Sequence, residues 1–190
     1  SLGIDEIFYS DAVASLYERN NLTEILKQTS RGSFIPITAG GGIRSVEDGG
    51  RLLANGADKL AINTHAVKNP NLINLLAESF GKQCVVVSVQ ARRALDGNGW
   101  SVMIESGRER TDKNLFDWIM EVQDRGAGEI FLTSVDQDGM GKGPDSELIN
   151  SIDNIISVPL VVGGGFSTLG QIKNMFNKNK APTGVAIGWA

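Results

Sequence analysis

The sequence predicts an α/β fold built from repeated βα units: a (βα)8 barrel with a two-fold half-barrel repeat. Three observations predict it. Short apolar, β-rich runs alternate with amphipathic stretches along the whole chain. An offset of 123 residues, which carries Gly3 onto Gly126, lays one half of the chain on the other without a gap over roughly 40 positions. Two glycine triplets, Gly40-Gly41-Gly42 and Gly163-Gly164-Gly165, end equivalent strands in the two halves.

The elements follow in order. Strands are expected over 6–9, 35–39, 59–63, 84–89, 129–134, 159–162 and 184–187, where apolar and β-branched residues run together. Helices are expected near 23–29, 46–55, 71–80, 114–125, 146–156 and 168–176, each with polar residues or glycine at its margins. One connection differs from the rest. After Val89 the chain carries Asp96-Gly97-Asn98-Gly99 and then alternating Trp100, Val102 and Ile104, which predicts a small hairpin. Trp100 is assigned to packing in that hairpin and Trp118 to packing on a helix face.

The repeat fixes the strand count. Glu6-Ile7-Phe8 falls on Glu129-Ile130-Phe131, Glu24 on Glu147, and Pro36 on Pro159. The first visible strand therefore matches the fifth and the second the sixth, so the unit is four strands and the complete fold eight. The strand over 84–89 lacks its mate, which would precede Ser1. The expectation is a single domain over 1–190, a barrel fragment without its first βα unit and its last helix. A doubly wound open sheet is the alternative, but it gives no reason for a repeat of four strands.

Composition bounds the function. The 190 residues, 41% hydrophobic and 21% charged, suffice for a sizeable core and exclude disordered, collagen-like and coiled-coil chains. Eighteen Lys+Arg against 22 Asp+Glu give a net charge of -4 with no basic run, so no nucleic-acid partner is expected. No apolar stretch approaches the ~20 residues that span a bilayer, and the N-terminus shows no signal pattern, so no membrane association and a cytoplasmic location are expected. Cys84, the single cysteine, reads as a buried strand thiol.

In a barrel of this kind the active site lies at the strand C-termini. Both glycine triplets sit there, ahead of a helix, where unobstructed backbone amides form a phosphate cradle or, more plainly, a tight strand-to-helix turn. Two triplets at equivalent places, with Asn63-Thr64 following one and Gly188 the other, favour phosphate and a long ligand carrying one at each end. Asp136 and Asp138 offer two carboxylates for acid–base chemistry or for orienting a hydroxyl, and both are also ordinary turn residues; Asp11 ends the first visible strand in a similar place. There is no Ser-His-Asp set and no metal cluster; His65, the one histidine, reads as a solvated or capping residue.

These residues also carry a resemblance. Gly40-Gly41-Gly42-Ile43, Gly56-Ala57-Asp58-Lys59 with Asn63-Thr64, Gly126-Ala127-Gly128-Glu129-Ile130 and Thr133-Ser134-Val135-Asp136-Gln137-Asp138-Gly139 together resemble the cyclase subunits of imidazole glycerol phosphate synthase. The resemblance implies a half-barrel-duplicated (βα)8 enzyme without cofactor or metal. Its substrates would be a ribulosyl aminoimidazole carboxamide bisphosphate and ammonia, the latter supplied by a glutamine amidotransferase subunit in a heterodimer. Its products would be imidazole glycerol phosphate and an aminoimidazole carboxamide ribotide.

Carried over by residue, it puts one phosphate on Gly42, Asn63 and Thr64, and the other on Asp138, Gly139, Gly164, Gly165 and the Gly188-Trp189 corner. Thr133 and Asp138 become active-site groups. Gln90 stands where the family has a catalytic Asp, and a carboxamide hydrogen-bonds but does not shuttle a proton near neutral pH. Trp189 replaces a small residue beside phosphate. Glu6, Lys59 and Glu129, each opening a strand, match a charged ring through which ammonia enters, and Asp58 lies at the glutaminase contact. Three other functions remain in view: a related barrel serving amidination of a surface sugar, a barrel that only binds and activates the amidotransferase, and a phosphosugar isomerase.

Overall fold

The computed structural model describes residues 3–11, 22–32 and 34–188. The chain divides into two compact units, one running up to Val87 and including Arg125–Gly128, the other containing Ser88–Asp124 and everything from Glu129 onward.

In the first unit, strands β1 (Ile7–Ser10), β2 (Ile37–Gly40), β3 (Lys59–Ile62) and the start of β4 (Val85–Arg93) pair in parallel, in chain order. Parallel neighbours require crossovers, and helices supply them: α1 (Leu22–Ser30), α2 (Val46–Ala54), then α3 (Thr64–Lys68) with α4 (Asn71–Phe80). Helix α2 begins where Ser45 accepts the Asp48 N–H at 3.1 Å, which satisfies one of its orphan amides. It lies close on the sheet and on α4: a Cβ on Gly49 would stand 2.7 Å from Leu60 Cδ1 and 3.0 Å from Leu76 Cδ2. Leu60 and Ile62 therefore face the helices, and by the two-residue period of a strand Lys59 and Ala61 face the other way. The core on the helix side is Leu26, Ile37, Leu52, Leu72, Ile73 and Leu76, all buried.

In the second unit, β4 continues past Val87 and turns into an antiparallel meander with β5 (Trp100–Ile104) and β6 (Glu109–Asn114). The expected hairpin is present. Its turn uses Gly97 and Gly99 at φ of 79° and 76°, and Asp96 accepts the Asn98 N–H at 2.9 Å. The sequence reading missed β6, a strand made of charged and polar residues with no apolar run and none of them buried. Helix α5 (Leu115–Asp124) buries Leu115, Trp118, Ile119 and Val122 on one stripe, as its period requires. Trp100 is buried and meets Phe116 edge to face at 6.3 Å, so both tryptophans pack as expected. Strands β7 (Glu129–Ser134), β8 (Leu160–Gly163) and β9 (Pro182–Ala186) then pair in parallel, with α6 (Ser146–Ile152) and α7 (Leu169–Lys178) between them. Thr168 and Gln171 close a reciprocal capping box on α7.

The repeat reappears as geometry. Ile7 pairs with Ile37 and Ser10 with Gly40; Ile130 pairs with Leu160 and Thr133 with Gly163, the same register moved by 123 residues. The Ile7 N–H donates to Pro36 O at 2.9 Å, and the Ile130 N–H donates to Pro159 O at 2.9 Å. The parallel βα order and its duplication are those of a partial (βα)8 fold.

Three sequence expectations shift. Cys84 is half-buried at the end of a single 3-10 turn, Lys82–Cys84, ahead of the strand rather than inside it. Thr64–Lys68, outside every helix expected from the sequence, is a short helix. The last strand begins at Pro182, two residues earlier than its apolar run suggested, because a proline is tolerated at the first position of a strand.

Candidate active site

Each unit carries one glycine turn at the C-terminal end of its second parallel strand, and the two turns have the same backbone. Gly41 and Gly42 take φ of 104° and 71°; Gly164 and Gly165 take 89° and 81°. Side-chain-bearing residues rarely adopt such angles, and here space forbids them as well. A Cβ on Gly41 would lie 2.5 Å from Asp11 O, and one on Gly165 would lie 2.2 Å from Gly143 O. Conformation thus favours glycine at all four positions, and close approach requires it at Gly41 and Gly165. What remains at each turn is backbone without side chains, half-buried at Gly41, Gly42 and Gly164 and buried at Gly165.

In the first unit the turn is joined to Asp11, whose N–H donates to Gly40 O at 3.0 Å, while Asn63 follows the neighbouring strand β3 and Thr64 opens α3. Gly42, Asn63 and Thr64 are half-buried. His65 follows on α3, beside Arg44 and Lys68. Its own desolvation and then those two cations hold its pKa below the ordinary 6.5, while Asp48 opposes them weakly. Sequence reading singled out neither cation; the signal is a local excess of positive charge next to a glycine turn.

At the opposite end of the same strands Lys59 Nζ pairs with Glu6 Oε2 at 2.8 Å, and the hydroxyl of the fully buried Thr38 donates to the other Glu6 oxygen. Lys59 belongs to the face turned away from the helices, so this charged group lies on the helix-free side of the sheet at the strand N-termini. Asp58 anchors the start of β2, since its carboxylate accepts the Ile37 N–H at 2.8 Å while its own N–H donates to Ile37 O at 2.8 Å. Glu129 opens β7 in the second unit and is half-buried.

The second unit holds the other candidates. Burial along β7 alternates, with Ile130, Leu132 and Ser134 inside and Glu129, Phe131 and Thr133 on the helix-free face. A Cβ on Gly163 would meet the Phe131 ring at 2.7 Å and Thr133 Oγ1 at 3.4 Å, which places Thr133 beside the glycine turn. Asp138 is also there: its Cα lies 3.5 Å from where a Gly164 Cβ would stand. Gly139, at φ 72°, and Gly188 are exposed. Gln90 is half-buried on β4, opposite Met103 of the meander. Trp189 lies outside the described residues.

Asp136 and Asp138, equivalent candidates in the sequence, separate here. Asp138 is exposed beside the turn, whereas Asp136 accepts the Arg93 N–H at 2.8 Å and the Arg92 Nε–H at 3.2 Å. Sequence reading missed Asp145, which accepts the Ser134 hydroxyl at 2.9 Å and caps α6 through the Leu148 N–H at 3.0 Å. No group of His, Cys, Asp and Glu among the described residues could hold a metal, and no helix among them is long and apolar enough to cross a membrane.

Comparison with known proteins bears on the chain as a whole. A family model described as histidine biosynthesis protein matches residues 1–190. A relative from Legionella pneumophila is 53% identical over 167 residues, covering 88% of this chain and 78% of the relative. One from Natranaerobius thermophilus is 41% identical over 184 residues, covering 97% and 72%, and one from Wolinella succinogenes is 43% identical over 174, covering 92% and 68%. All three relatives are described as imidazole glycerol phosphate synthase subunit HisF.

Proposed function

The chain belongs to the histidine biosynthesis protein family, and from that membership we propose a reaction: ammonia-dependent closure of an imidazole ring, as the cyclase subunit of imidazole glycerol phosphate synthase. The relatives' shared description carries the activity, and the duplicated glycine turn supports the substrate class. A ribulosyl aminoimidazole carboxamide bisphosphate has two phosphates, and each unit has one glycine turn of the same backbone, half-buried at Gly42 and Gly164 and buried at Gly165. Gly42, Asn63 and Thr64 would take one phosphate; Gly139, Gly164, Gly165 and Gly188 would take the other. The two alternatives that keep an amidotransferase partner, surface-sugar amidination and a barrel that only activates that partner, draw no support from these relatives.

Ring closure needs proton transfer at the reacting carbons. Asp138 is the carboxylate best placed for it, exposed beside the second turn, with Thr133 on the adjoining strand able to hold a substrate hydroxyl. Gln90 contributes hydrogen bonds only. Ammonia would come from a glutaminase partner and pass the Glu6–Lys59 pair at the strand N-termini of the first unit, Glu129 opening β7 of the second. Asp58 would lie on the partner's side, in addition to anchoring β2. A cytoplasmic location belongs to the same proposal.

The test is direct assay of the protein with the bisphosphate substrate and an ammonium salt, following imidazole glycerol phosphate by chromatography. Formation of that product, competed by inorganic phosphate, is the expected result. Absence of product with ammonium and with glutamine plus the glutaminase would overturn the reading.

A further inference from the structure

The loop between β7 and α6 carries Asp138 and Gly139, and it is fastened on both sides. Strand pairing runs one residue beyond β7, with the Val135 N–H donating to Ala91 O at 2.9 Å. Next comes Asp136, with both carboxylate oxygens engaged: Oδ2 by the Arg93 backbone N–H at 2.8 Å and Oδ1 by the Arg92 Nε–H at 3.2 Å. The Arg93 side chain lies 4.1 Å over the Trp100 ring and pairs with Glu147 on α6. On the far side, the Gly143 N–H donates to Gly165 O at 2.8 Å and the Ser167 hydroxyl to Gly141 O at 2.8 Å. Asp138 and Gly139 lie between these fastenings, in a turn closed by the Asp138 N–H on Ser134 O at 3.0 Å and by the Met140 N–H on Gln137 O at 3.0 Å.

We infer that Asp136 is a positioning residue, whose carboxylate, clasped by the end of β4, sets where the loop presents Asp138 and Gly139. A carboxylate with one oxygen on a fixed backbone amide and the other on a guanidinium is turned toward β4 and away from proton transfer. The clasp also links the strand that bears Gln90 to the loop that bears Asp138. Its effect on catalysis rests on the proposed reaction; its effect on the loop does not.

Two measurements on the protein separate these. Asp136→Ala and, as a milder second variant, Arg92→Ala should each raise amide hydrogen exchange over residues 136–141, with Arg92→Lys restoring part of the protection. In turnover with ammonium salt, Asp136→Ala should lose about 10- to 100-fold in kcat/KM, because displacing a reacting group by about 1 Å costs that much. Asp136→Asn, which keeps an acceptor for the Arg93 N–H, should lose less and retain both limbs of the pH profile. Unchanged exchange in both Ala variants would overturn the clasp. A limb of the pH profile that vanishes in Asp136→Asn would overturn the positioning role and make Asp136 the proton-transfer group. Wild-type protein without turnover would count against the proposed reaction, while the exchange measurement would still decide the clasp.

Discussion

Gly41 and Gly164 occupy the same step of two copies of one turn, 123 residues apart, with φ of 104° and 89°. Each follows a strand whose register to its neighbour is duplicated residue for residue. Conformation calls for glycine at this step in both copies, while close approach requires it at Gly41 in the first copy and one step later, at Gly165, in the second.

That geometry makes glycine replacements unequal. Gly165→Ala brings a methyl to 2.2 Å from Gly143 O at φ 81°, whereas Gly139→Ala at φ 72° meets nothing within 4 Å. The second should cost about 1–2 kcal/mol from the left-handed backbone alone. The first should cost more, and denaturation midpoints measured side by side give the order. Binding of inorganic phosphate, followed by calorimetry, should weaken strongly in Gly165→Ala and persist in Gly139→Ala.

His65 is the chain's single histidine, so its imidazole titration is readable by NMR without assignment. Its pKa is lowered from 6.5, chiefly by desolvation and then by Arg44 and Lys68. The unfolded chain therefore binds the proton more tightly, and stability present above pH 6.5 declines as pH falls through the folded pKa. His65→Gln should flatten that decline. Phosphate added to the wild type should move the imidazole pKa upward if the first turn holds the anion, and leave it unmoved if it does not.

Replacing Gln90 by Asp restores the carboxylate that the resemblance places there. General acid–base groups contribute about 10²–10⁴-fold, so Gln90→Asp should raise imidazole glycerol phosphate formation by about 10-fold or more. Unchanged or lower turnover, measured with saturating ammonium salt, would mean that Gln90 belongs to a site already complete.

Lys59→Ala removes the cation from the Glu6–Lys59 pair and leaves Glu6 its hydrogen bond from Thr38. If this group guides ammonia, glutamine-dependent turnover with the glutaminase should fall several-fold further than turnover with added ammonium salt. An equal fall with both nitrogen sources would leave the pair a purely structural role.

Asp58→Ala removes the side-chain acceptor of the Ile37 N–H. Loss of one part-buried hydrogen bond to a charged group should cost about 1.5–3 kcal/mol in denaturation. Asp58→Asn keeps an acceptor oxygen and should recover most of it, and the same two variants show whether glutaminase binding follows stability or charge.

The alternation of apolar runs with amphipathic stretches, the offset of 123 and the paired glycine triplets were visible in the sequence alone, because period and repetition are properties of order along the chain. They determined the parallel βα units, the hairpin after β4 and the location of both glycine turns. The exposed strand Glu109–Asn114 was not visible, since its residues pair with β5 through backbone and bury no alternating apolar face. Nor could spacing tell Asp136 from Asp138, two residues apart on one loop. Tertiary structure decided between them: Asp136 is consumed by donors from Arg92 and Arg93, more than 40 residues earlier in the chain, and Asp138 is left exposed beside Gly164. Which carboxylate is free depends on which distant donors the fold brings within about 3 Å, and no local pattern encodes that distance.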